Sequence, residues 1–201
     1  MEQYSEAIPV LERLSPLQKA RLPGGLGSDI QLSVCQWLVG NPDHAIDIMR
    51  SLVIGTQDKS IKYASDLAGG VTQGLLLRYM AITGRFDEQY QLAVAYLTRL
   101  AQAQKADNWS GPAARFAVGM ATAGEMLSAG IGVSDIEPAR KIASHDLLKR
   151  RRLTNIAFNI AVNQRVEGNE PGCRTWMMEC AGLQNPLIEY EWHLAKAEVA
   201  G

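Results

Sequence analysis

Apolar residues in this chain recur every three to four positions, and no segment sustains the strict alternation of a half-buried strand. A chain patterned in this way hides its apolar stripes by laying helix on helix, so the expected fold class is all-α. Its length of 201 residues, 47% of them apolar and 20% charged at a net charge of −1, suits one ordinary domain or two small ones. That composition excludes collagen-like, disordered and highly charged tail classes.

Glycine, proline and short polar residues punctuate the pattern. Ser5 to Arg21 carries Pro9 and Pro16 and is expected to be a short or broken entry piece, followed by a loop over Pro23-Gly24-Gly25-Leu26-Gly27. Ser28 opens a helix carrying Ile30, Leu32, Val34, Trp37 and Leu38, which ends at Gly40. Asn41-Pro42 opens the next, with Ala45, Ile46, Met49, Leu52 and Val53 at helical spacing up to Gly55. Thr56 is expected to cap a helix running to about Leu67, interrupted at Gly69-Gly70, and Val71 to Thr83 forms another that stops at Gly84. Further helices are expected from Asp87 to about Ala103, over 112–129 behind a Ser110 cap, from a Ser134/Glu137 capping box to about Arg151, over 153–166, near 172–182 and over 186–199.

Three of the turns share one plan: Trp37-Leu-Val-Gly40-Asn-Pro-Asp-His-Ala45, Ala81-Ile-Thr-Gly84-Arg-Phe-Asp-Glu-Gln89 and Arg165-Val-Glu-Gly168-Asn-Glu-Pro-Gly-Cys173. A looser copy surrounds Gly130, and the four glycines stand 44, 46 and 38 residues apart, the length of two helices plus their connections. Glycine takes the left-handed helix cap cheaply, and a small residue five positions on lets two helices approach. At these turns, most closely at Gly84-Arg85-Phe86-Asp87-Glu88, the sequence resembles tetratricopeptide repeats. The resemblance implies a solenoid-like array of antiparallel helical hairpins over 28–201, entered through 1–27, whose first helices line a partner-binding groove. An irregular helical bundle whose loops use glycine is the alternative.

Sites of covalent or metal chemistry are hard to assemble from this sequence. His44 lies between Asp43 and Asp47, and His193 follows Glu189 by four residues, pairs that suit a solvated helix face as well as a general base. No Glu-x-x-His or His-Glu-x-x-His run supplies metal ligands, so neither a metal nor a cofactor is expected. The runs Gly24-Gly25-Leu26-Gly27 and Gly69-Gly70 lack the Lys-Ser/Thr ending of a phosphate-binding loop, and no Gly-x-Ser-x-Gly elbow occurs. Catalytic residues are therefore not assigned. Cys173 and Cys180, seven apart on one helix face, fit core packing, and the odd count of three cysteines fits a reducing, cytoplasmic compartment. The amino terminus has neither basic n-region nor apolar h-region, and Phe116 to Val133 is interrupted by Glu125 and four glycines, so no membrane partner is expected.

Charge is distributed unevenly. Between Ala139 and Arg165 lie Arg140, Lys141, Lys149, Arg150, Arg151, Arg152 and Arg165 against Asp146 alone; from Val166 onward, six glutamates face Arg174 and Lys196. The basic segment can grip phosphates, dock on an acidic protein surface including the acidic end of a second copy, or stand solvated at a helix end. Asn155, Asn159 and Asn163 form a polar stripe beside Leu153, Ile156, Ala157, Ile160 and Ala161. Under the repeat resemblance this stripe, with Arg78, Arg115 and Glu125, would face the groove; capping between helices is the other meaning of the asparagines. The functional expectation is an adaptor, chaperone or assembly factor that binds a protein or peptide partner, with a nucleic-acid-binding accessory protein using 140–165 as the alternative.

Overall fold

The computed structural model describes residues 2–21, 27–61, 70–183 and 189–201, with the side chains of 2, 18–21, 104 and 105 left aside. Among the described residues every regular element is helical. The loop expected over Pro23 to Leu26, the part of the expected helix from residue 62 to Leu67, the break at Gly69 and the start of a helix at 186 lie outside them; Thr56 does not cap that helix but lies inside the preceding one, which runs on to Gln57. The fold is an all-α array in which helices pack on their sequence neighbours. It divides into two compact units, Met1–Ala114 and Arg115–Gly201.

In the first unit α1 (Glu2–Arg21), α2 (Gly27–Leu38), α3 (Pro42–Gln57), α4 (Val71–Gly84) and α5 (Asp87–Ala101) pack in chain order, and α3 also meets α5. The entry piece is one continuous helix, not a broken one. Pro9 and Pro16 each remove one helical hydrogen bond, but both are exposed, as are Ser5 and Glu12, whose carbonyls lose their donors, so the loss falls where solvent has access. Leu11 of α1 closes against Leu32 and Cys35 of α2, with Tyr4, Ala7 and Ile8 packed on the same cluster. α4 is buried almost all round, from Gln73 to Ala81 without interruption, because α3 and α5 both cover it. Gly74 permits this: a Cβ there would lie 2.7 Å from the Tyr96 ring and 2.9 Å from Leu97.

In the second unit α7 (Ala123–Ile131), α8 (Ile136–His145), α10 (Glu170–Gly182) and α11 (Tyr190–Ala200) all pack on α9 (Leu147–Val166). Every residue of α9 from Leu153 to Val162 is buried. The stretch expected as one helix over 112–129 is α6 (Gly111–Ala117) and α7, parted at Gly119. α7 begins with a reciprocal cap: Thr122 Oγ1 accepts from the Glu125 N–H while the Glu125 carboxylate accepts from the Thr122 N–H at 2.7 Å. The helix expected to reach Arg151 ends instead at His145. Asp146 is extended, and its carboxylate accepts from the Lys149 N–H, opening α9. Ser134 and Glu137 do not form the expected box; Asp135 stands at the N-cap without a side-chain bond.

The hairpin turns share one hydrogen-bond geometry. After α2, α4, α6 and α9 a residue with positive φ (Gly40 +89°, Arg85 +62°, Gly119 +76°, Gly168 +75°) is followed by an N–H that returns to the carbonyl five residues earlier. Those bonds are Asn41 to Gln36 at 2.9 Å, Phe86 to Ala81 at 2.9 Å, Met120 to Arg115 at 2.8 Å and Asn169 to Gln164 at 2.8 Å. Two corners match in their side chains as well: Asn41 Nδ2 donates to Gln36 Oε1 at 2.8 Å, and Asn169 Nδ2 to Gln164 Oε1 at 2.5 Å. Two glycines play other parts than expected. Gly84 is still helical, and a Cβ there would collide with the Phe86 ring; the left-handed residue after α7 is Gly132, not Gly130.

Candidate functional site

The asparagine stripe turns inward. Asn155 and Asn159 are buried and Asn163 half-buried. Asn155 Nδ2 donates to Glu191 Oε1 of α11 at 2.6 Å, and Asn159 Nδ2 donates to the Asn155 carbonyl at 2.8 Å. Glu191 is 2% exposed. Burial, then the neighbouring charge of Glu189, pushes its carboxyl up to about 7, against the opposing pull of its own backbone N–H, Asn155 and Arg151. Cys180 of α10 completes the cluster, its Sγ 3.4 Å from the Thr154 carbonyl and 3.7 Å from that of Glu191. Burial raises this thiol well above its ordinary range, so it is a poor nucleophile.

The other groove candidates also do structural work or lie inside. Arg78 is 2% exposed within α4, since that helix has neighbours on both flanks. Glu125 is exposed but engaged in the α7 cap, and Arg115 of α6 is half-buried. Arg78, Asn155 and Asn159 are buried and so do not line an open surface, Asn155 being spent on Glu191 of α11 and Asn159 on the Asn155 carbonyl.

The charge asymmetry resolves into intramolecular clasps. Arg140 of α8 meets Glu179 of α10 through Nε at 2.7 Å and Nη2 at 2.5 Å, and also pairs with Glu137. Arg151 of α9 meets Glu189, just ahead of α11, at 2.5 Å. Arg165 near the end of α9 forms a two-pronged pair with Glu198 of α11 at 2.8 and 3.0 Å. The basic segment is thus answered by the acidic end of the same chain. Arg150 donates to the carbonyls of Ala143 and Ser144 at the end of α8, at 3.1 and 2.7 Å, and Arg152 to that of Gly130 at 3.1 Å. The cations sit at the start of α9, yet Arg150 serves the C-terminal end of α8, where a positive charge suits the helix dipole. Lys141 is exposed and Lys149 half-exposed, and neither ammonium has a carboxylate partner among the described residues.

An open groove runs between α8 and α10. It holds about 600 Å3 and is lined by Arg140, Thr175, Met178, Glu179, Gly182 and Leu183. A smaller hollow of about 190 Å3 continues it past Ala143, Ser144 and Arg150, sharing Arg140, Gly182 and Leu183. Met178, 55% exposed, adds an apolar side chain to the lining of the groove. Met178 follows the buried Met177 and so stands about 100° round α10 from it, a placement that the spacing of the apolar residues already contains. Glu191 was missed, although Glu191, Leu194, Ala195 and Glu198 lie on one helical face.

His44, Asp43 and Asp47 are all exposed on α3. Among the described residues no three His, Cys, Asp or Glu side chains gather as a metal site, and no helix is long and apolar enough to cross a membrane. No protein-family model, curated protein or solved structure matches the chain.

Proposed function

We propose that the protein is a cytoplasmic adaptor or assembly factor that binds a segment of another protein along the groove between α8 and α10. The observation that carries this reading is the groove itself, lined by Met178, Gly182 and Leu183 together with the Arg140–Glu179 ion pair. An apolar centre with a charged rim is the anatomy of a protein interface, and exposed methionine adapts to varied side chains. Support for the class comes from the repeated hairpin corners, the feature that resembles tetratricopeptide repeats. The three buried, unbridged cysteines fit a reducing compartment. The nucleic-acid alternative loses ground because Arg140, Arg151 and Arg165 are each answered by a glutamate.

The test is quantitative co-purification of the tagged chain from its native host. A stoichiometric partner should be retained by the wild type and by Lys149→Gln and lost by Met178→Glu, an exposed substitution that leaves the core untouched. Recovery of the same partners with Met178→Glu would refute the groove, and polynucleotide retention abolished by Lys149→Gln would favour the alternative.

A further inference from the structure

The start of α11 brings two carboxylates to one guanidinium. Glu189, just ahead of the helix, has a side chain 15% exposed and takes Arg151 Nε of α9 at 2.5 Å. Glu191, two residues on, is 2% exposed, and its Oε1 accepts from Asn155 Nδ2 of α9. The elements packed on α11 are α9 and α10. Among the described residues, the charged and titratable groups facing Glu191 are Arg151 from α9, the Cys180 thiol from α10 and Glu189 on its own stretch. Glu179 of α10, also within reach of that thiol, is committed to Arg140. One cation does not neutralise two enclosed carboxylates, so one of them keeps a proton. It is Glu191, the deeper of the two and the one without the guanidinium.

The same turn is fastened to both neighbours. Trp192 Nε1 donates to the Ala181 carbonyl of α10 at 3.2 Å, and Cys180 Sγ donates to the Glu191 carbonyl at 3.7 Å. Asn155 ties the turn to α9, and the far end of α11 is held separately by the Arg165–Glu198 pair.

We propose that the first turn of α11 is a proton-operated latch: it docks on α9 and α10 while Glu191 is protonated and lets go when Glu191 ionises, the Arg165–Glu198 pair keeping the far end in place. Loss of the proton sets a second negative charge beside Glu189, where Arg151 is already taken, and the nearest relief is water. Lifting Glu191 into water breaks the Trp192 and Cys180 bonds with it. A single turn of helix stripped of its packing does not hold itself and unravels. Release is local, because the buried run of α9 from Leu153 to Val162 keeps its other neighbours. Burial, then the charge of Glu189, brings the ionisation to about 7, against an ordinary 4.5. The docked carboxyl thus binds its proton more tightly than the released one, so docking is strongest below about 4.5 and weakens as pH rises through about 7.

Amide hydrogen exchange of the full chain tests the latch. The N–H groups of residues 194–197 bond to the carbonyls of the first turn and report its opening. Corrected for the intrinsic chemical rate, their exchange should run about tenfold faster at pH 8.5 than at pH 6, the ratio for a carboxyl that returns from about 7 to 4.5 on opening. That exchange should respond little to dilute urea, the mark of a small opening, while the amides of 153–162 exchange far more slowly and with a steep urea dependence. Glu191→Gln should remove the pH effect. Glu189→Gln, which deletes the repulsion and leaves Arg151 to Glu191, should complete the change at a lower pH, and it serves if the first variant does not fold. A pH-independent wild type would overturn the proposal, as would a pH effect unchanged in either variant. So would exchange at 194–197 with the slow rate and urea dependence of 153–162, because the whole unit would then be opening at once.

Discussion

Replacing Glu191 with glutamine should flatten the pH dependence of the second unit and stabilise it above neutrality. Glu191 ionises at about 7 in the fold against an ordinary 4.5, principally because burial disfavours its charged form. The folded state therefore binds this proton more tightly than the unfolded chain does. The associated stability is fully present below about pH 4.5 and is lost as pH rises through about 7. At about 1.4 kcal/mol per unit, the span corresponds to a loss on the order of 3 kcal/mol by pH 8.5. Glutamine keeps the carbonyl that receives Asn155 Nδ2 and never ionises, so Glu191→Gln should hold its low-pH stability across the range. Glu189 is pushed upward by burial too and its charge acts on Glu191, so the difference between the two proteins reports Glu191 together with its repulsion by Glu189. Urea unfolding followed by circular dichroism at pH 5, 6, 7 and 8.5 provides the curves. Parallel wild-type and variant curves would refute the reasoning, because they would mean that Glu191 does not change its proton affinity on folding.

Removing the guanidinium in Arg165→Met should cost about 2 to 3 kcal/mol in urea unfolding, since it leaves Glu198 largely buried without its partner, and Arg165→Met/Glu198→Met should recover much of it. Arg85→Gly should stabilise the first unit by about 1 kcal/mol in thermal unfolding, since a side-chain-bearing residue there sits at φ +62°. Gly74→Ala should destabilise the same unit by about 1 to 3 kcal/mol in the same assay, because its methyl would meet Tyr96 and Leu97 inside 3 Å. Cys35, Cys173 and Cys180 are buried, and burial pushes each thiol pKa up, so a thiol reagent should titrate them only after denaturant is added.

Helix order was legible wherever local chemistry marks an end. Gly40 and Gly168 close their helices as read, since the left-handed cap is a property of a few adjacent residues. The break at Asp146 carries a weaker mark, an aspartate ahead of two leucines, and falls well before the expected helix end at Arg151. Continuity through Pro9 and Pro16 depended on which side of α1 faces water, a fact supplied by α2. The site was less legible. The oddity of Asn155 and Asn159 is visible in the sequence, but their purpose is Glu191, 36 residues away from Asn155. The Arg140–Glu179 and Arg165–Glu198 pairs likewise span 39 and 33 residues, and charge counting alone does not distinguish a clasp from a docking face.

The matched corners at Gln36–Asn41 and Gln164–Asn169 behave as interchangeable parts. Each carries its own fastening, a backbone bond and an amide bond between the same two residue types, so neither relies on the helices beyond it to hold its bend. A chimera exchanging these six-residue segments would leave both joints closed, whereas grafting either onto the Phe86 corner would strip away the ring that fills the space beside Gly84.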